Sequence, residues 1–81
     1  MDIRSQLLQG ASATDLARRY GLEVVRDEIE EMISHDLADR ALNAAISLRN
    51  DVLIQMAARV ILCSGSYGEG ANTLAKQHSR A

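Results

Sequence analysis

An all-α fold built from short helical hairpins is what this sequence predicts, and three features predict it. Apolar residues recur three and four positions apart along almost the whole chain, the spacing that lines one face of a helix. No proline interrupts the pattern. Glycines and Ser, Asn and Asp residues, which start and stop helices, punctuate it at short intervals.

Ile3, Leu7 and Leu8 predict a short first helix ended by Gly10. Ser12-Ala13-Thr14-Asp15 reads as a capping box, in which Ser12 accepts from a free backbone N–H and Asp15 reaches back. A second short helix follows, with Leu16, Ala17 and Tyr20 inward, and ends at Gly21. Glu23 to Ile33 forms the third, with Val25, Ile29, Met32 and Ile33 as its apolar stripe. Its outer face carries Glu23, Asp27, Glu28, Glu30 and Glu31, with Arg26 the only cation. Ser34 is expected to cap a fourth helix, His35 to Arg49, lined inside by Leu37, Ala38, Ala41, Leu42, Ala45 and Leu48. Its small alanines let a neighbouring helix come close. Asn50-Asp51 breaks the chain and caps a fifth helix, Asp51 to Cys63. That helix is apolar around almost its whole circumference, and only Gln55 and Arg59 mark a polar line. Such a helix is expected to be central and covered on several sides. Ser64-Gly65-Ser66 turns the chain into a last helix, starting near Tyr67 and carrying Ala71, Leu74 and Ala75. The polar stretch from Lys76 to Ala81 is expected to fray.

Eighty-one residues make one domain, and the 47% apolar content is that of a globule. With no Trp, no Phe and two Tyr, the core is light. Either a partner completes it, or alanine-rich helices pack closely enough to close it alone. Nine basic and eleven acidic residues give a net charge of -2, without the positive cluster that nucleic acid demands. The longest apolar run, Met56 to Cys63, is interrupted by Arg59 and too short to span a membrane. The opening Met1-Asp2-Ile3-Arg4 lacks the pattern of a secretory signal, and Cys63 has no second cysteine to pair with. A cytoplasmic location is expected.

Asp15 to Leu22 has the spacing of the first helix and turn of a DNA-binding helix-turn-helix, with Ala17 at the close-packed position and Gly21 at the turn. The next helix should then offer base-reading side chains, but it offers five acids, which phosphates repel. A DNA-binding regulator relying on Arg18 and Arg19 is therefore an alternative reading, beside a plain helical hairpin. Another is a small acidic inhibitor of the phage type, which would set this helix against a basic protein.

From Ile54 onward the spacing fits a TPR unit, a pair of antiparallel helices. Ile54 and Ile61 stand at its large positions, Ala57 and Ala58 at the close-packing pair, Gly65 and Tyr67 at the turn, and Leu74 in the second helix. Gly70 and Gln77 depart from the pattern. The C-terminal half is thus expected to be TPR-like. His35 to about Lys76 resembles the small TPR-like chaperones of type III secretion needle subunits. The likeness lies in the order of an amphipathic helix opening with His35-Asp36, an apolar helix, the Ser64-to-Glu69 turn and a short final helix. It covers about half the chain, within a single domain read as N-terminal helices over 1–34, TPR-like helices over 35–77 and a tail over 78–81. The resemblance implies a heteromeric complex in bacterial virulence. A small helical co-chaperone would pair with this chain, and a secreted subunit would lay its amphipathic C-terminal helix in a concave apolar groove.

Catalytic constellations are poor. His35 and His78 lie far apart and read as solvated side chains. Cys63 ends an apolar helix and reads as a buried small hydrophobe. Neighbouring acids on the third helix do not face one another as an acid–base pair would. The Ser64-to-Gly70 segment lacks the Lys-Ser/Thr ending of a phosphate loop. The expectation is a protein-binding chaperone or adaptor, not an enzyme, with no cofactor and no metal. Met56, Val60, Cys63, Tyr67 and Leu74 are the expected contacts, in a groove between the last two helices. Self-association is another use for the same surface.

Overall fold

Three helix starts are set by polar side chains. Asp2, Ser12 and Asn50 each accept from a backbone N–H in the turn that follows: Arg4 at 3.1 Å, Asp15 at 3.4 Å and Leu53 at 3.3 Å. The computed structural model describes residues 2–80. Its helices are α1 (Ile3–Leu8), α2 (Ala13–Tyr20), α3 (Leu22–Ser34), α4 (Ala38–Leu48), α5 (Asp51–Ser64) and α6 (Glu69–His78). No strand occurs among the described residues, so the fold is all-α.

Three helix ends share one closure. After α1, Gly10 turns to positive φ and the Ala11 N–H reaches back to the Gln6 carbonyl. After α3, Asp36 takes the left-handed place and the Leu37 N–H reaches Met32. After α4, Arg49 takes it and the Asn50 N–H reaches Ala45. This is the Schellman arrangement, which satisfies carbonyls that a helix end leaves free.

The second of these closures corrects the expected boundary between the third and fourth helices. Ser34 does not cap α4. It is the last residue of α3, and its hydroxyl donates to the Glu30 carbonyl at 3.3 Å. The turn falls at residues 35–37, and α4 begins at Ala38 with no side-chain cap from its own flank. Its first amide instead donates to the Tyr67 hydroxyl at 3.3 Å. Tyr67 lies in the connection before α6, which starts at Glu69.

α1, α3 and α5 touch in that order, and so do α2 and α4. Successive helices from α2 to α6 also touch. The helices therefore stack as two layers, with overall extents of 33 × 21 × 18 Å. Val25, Ile29, Met32 and Ile33 are buried, as their stripe predicts. Leu42, Leu53, Ile61 and the alanines at 38, 41, 45, 57 and 58 join them in one core cluster. No polar or charged residue is buried among the described residues.

α5 is covered on several sides, as expected, by α3, α4 and α6. Leu53, Ala57, Ala58 and Ile61 are buried there, while Val52, Met56, Leu62 and Cys63 on its remaining side are exposed. A further expectation is corrected: the chain does not fray from Lys76. α6 continues through His78, and the Gln55 amide donates to the His78 carbonyl at 2.6 Å while accepting from the Arg80 N–H at 3.0 Å. Arg80 also pairs with Asp51 at 3.1 Å. Ala81 lies outside the described residues.

Candidate partner-binding face

Helical periodicity sets Val52, Met56, Arg59 and Cys63 on one line along α5, with Val60 beside it. Val52 is 68% exposed, and Met56 and Leu62 are each 37% exposed. Val60 is half-buried and packs against the core at the edge of the same face. Cys63 is exposed, which corrects its expected burial. It follows the outward line of Val52 and Met56, away from the buried Ala57, Ala58 and Ile61.

Of the five expected contact residues, the structure brings Met56, Val60 and Cys63 together. Tyr67 stands apart: it is half-buried against the core, and its hydroxyl is engaged by Ala38. Leu74 is half-buried on α6, where it borders a shallow depression of about 580 Å³ with Glu69, Gly70, Thr73 and Gln77. Val52 and Leu62 belong to the exposed face although the sequence reading passes over them. Val52 lies one turn before Met56, so the spacing that selects Met56 also selects Val52.

α3 forms the other border. Asp27 and Glu30 line a depression of about 400 Å³ together with Arg26, Asn50, Val52 and Leu53. The acids of α3 share one outer surface, where Asp27, Glu28, Glu30 and Glu31 line a depression of about 590 Å³. Arg4 of α1 pairs with Glu28 at 2.7 Å and with Glu31 at 3.1 Å. Glu23, Asp27 and Glu30 are exposed and make no ion pair among the described residues. The α3 border next to α5 thus keeps acids without an ion pair among the described residues, with Arg26 half-buried in the same depression.

A second apolar exposure lies at the start of α3, where Leu22 is 52% and Val24 49% exposed. Leu22 shares a depression with Thr14, Ala17, Arg18, Leu48 and Arg49. α2 and α3 are joined through Gly21 alone, whereas a helix-turn-helix uses a turn of about three to four residues. His35 lies in the turn before α4, with Nδ1 2.7 Å from the Glu31 carbonyl oxygen, while His78 ends α6. Among the described residues no helix is long and apolar enough to cross a membrane. Compared with known proteins, the chain matches no family model, no curated protein and no solved structure.

Proposed function

We propose that this chain is a protein-binding chaperone or adaptor that covers an apolar helix of a partner with the outer face of α5. The carrying observation is the exposure of Val52, Met56, Leu62 and Cys63, with Arg59 among them, on one side of a helix whose other side is core. Apolar surface left in water costs about 25 cal/mol per Å², which a partner's apolar stripe recovers on docking. A groove beside a helix is the usual seat for an amphipathic helix, read through anchors at helical spacing.

The stacking of α3–α4 and α5–α6 as successive hairpins supports a TPR-like reading of the C-terminal half. Within that reading the partner is a type III secretion needle subunit, held with a small helical co-chaperone, as the resemblance of residues 35–76 implies. Leu74 on α6 offers a second, smaller apolar contact.

The test is binding of a fluorescent amphipathic peptide with a leucine stripe, about five turns long. The unmodified protein binds it, and a Val52→Asp/Met56→Asp variant that keeps its circular dichroism and amide spectrum does not. Undiminished binding by that variant would place the site elsewhere.

A further inference from the structure

We infer that the helix docked on α5 is cationic, because its polar side is received by the acidic border of α3. This rests on the reading of α5 as the binding face and adds the partner's charge and the direction in which its polar side points. The physical link is the depression that Asp27 and Glu30 share with Val52 and Leu53. An occupant whose apolar stripe lies on Val52 and Met56 has α3 along one flank. There it meets Glu30 and Asp27, with Glu23 one turn further along α3.

The arrangement of the other charges supports the same orientation. Toward α1, Glu28 and Glu31 already have a cation, Arg4, inside the fold. Arg4 offsets part of their charge, whereas Asp27 and Glu30 have no ion pair among the described residues. Cations also lie near the face. Arg26 is half-buried at the α3–α5 seam, Arg59 is exposed on the same line of α5 as Val52, Met56 and Cys63, and Arg80 pairs with Asp51 on the side of Gln55. The face is therefore acidic along its α3 edge, carries one cation among its apolar residues, and has a paired Arg80 and Asp51 on the opposite side. A helix with Lys or Arg on the flank that meets α3 matches that edge, and a uniformly acidic helix is repelled along it.

The experiment uses three peptides sharing one leucine stripe, with lysine, glutamine or glutamate on the flank that would meet α3. Titration is followed by fluorescence anisotropy at low and high salt. The lysine peptide should bind about fivefold tighter than the glutamine peptide, as two exposed charge pairs would give, and the glutamate peptide more weakly than either. High salt should erase the difference. Asp27→Asn/Glu30→Gln should erase it too, leaving the glutamine peptide's affinity as it was. Asp15→Asn/Asp36→Asn, the same charge change on the α2 side and in the α3–α4 turn, should preserve it. Equal loss of the preference in both double variants would reduce it to net charge and overturn the inference. So would equal binding of all three peptides, which would leave α5 as the docking face. If none of the peptides binds the intact protein, the reading of α5 itself is wrong.

Discussion

The Tyr67 hydroxyl accepts a hydrogen bond from the Ala38 N–H at 3.3 Å, so a side chain from the last interhelical connection caps the fourth helix. Leu37, the residue preceding α4, supplies no side-chain acceptor, and Ala38 is fully buried. Tyr67→Phe keeps the ring and strands that amide. The expected cost is about 1–2 kcal/mol, seen as a melting temperature lower by about 4–8 °C per kcal/mol in a domain of this size. A melt of Tyr67→Phe superimposable on that of the unmodified protein would show that the amide finds another acceptor. For the candidate site, this assigns Tyr67 a role within the fold whatever it contributes to a partner.

Gln55 plays the corresponding role at the other end of α6. Its amide acts as a backbone unit would, giving to the His78 carbonyl and taking from the Arg80 N–H. Gln55→Ala should raise the exchange rate of the Arg80 amide strongly, with little change at Leu53 or Ile61 in the core of α5. Unchanged protection at Arg80 would mean that the Arg80–Asp51 pair, a largely exposed bridge, suffices to hold the segment.

The contrast between these residues and the apolar stripes explains how much was legible in advance. Val25, Ile29, Met32 and Ile33 announce a helix and its inward face because periodicity is a local property. So do the caps at Ser12 and Asn50, whose acceptors lie within three residues of their donors. The boundary after α3 is hidden because the left-handed position that usually holds glycine holds Asp36. Which side of α5 stays exposed is not legible, because periodicity says which residues are apolar and not where the neighbours that cover them arrive. Met56, Val60 and Cys63 were legible as a common face. The juxtaposition of Val52 with Asp27 and Glu30 depends on α3 and α5 lying side by side in one layer, which no short-range pattern encodes.

Exposure of Cys63 gives a direct probe of that face. A thiol-reactive dye should modify Cys63 completely in the folded protein, at a rate comparable with that in denaturant, since access governs the reaction. Prior binding of a helical partner on α5 should slow it. A thiol that reacts only after unfolding would contradict the outward placement of this line of α5.

Acid should loosen the first helix in a defined pH range. The Asp2 carboxyl is held below the ordinary aspartate range, chiefly by the Ser5 hydroxyl that donates to it at 2.6 Å, with the Arg4 amide and charge assisting. A folded-state value below the unfolded one contributes stability above the unfolded value and loses it as pH falls through the folded value. The Arg4 and Ser5 amide shifts should therefore titrate at a pH below that of an unperturbed aspartate. Asp2→Asn keeps a capping oxygen and should abolish the titration. A midpoint in the ordinary aspartate range would mean that the Ser5 bond does not persist in solution.

Arg49 offers the clearest route to a more stable chain. It closes α4 at φ 55°, a left-handed conformation that costs a residue with a Cβ about 1–2 kcal/mol and costs glycine almost nothing. Its side chain is exposed, and its backbone N–H already bonds to the Ile46 carbonyl at 3.0 Å. Arg49→Gly relieves the strain and keeps that bond, but it also loosens the unfolded chain by about 0.4–1 kcal/mol. The net expectation is a gain of up to about 1.6 kcal/mol, read as a higher denaturant midpoint at constant slope. Arg49→Ala removes the same side chain and retains the Cβ, so it should give no such gain. Asp36→Gly should gain less than Arg49→Gly, because aspartate tolerates the left-handed region better than arginine does. If Arg49→Ala stabilises as much as Arg49→Gly, the cause is the lost charge beside Arg18 in the Leu22 depression and not the backbone.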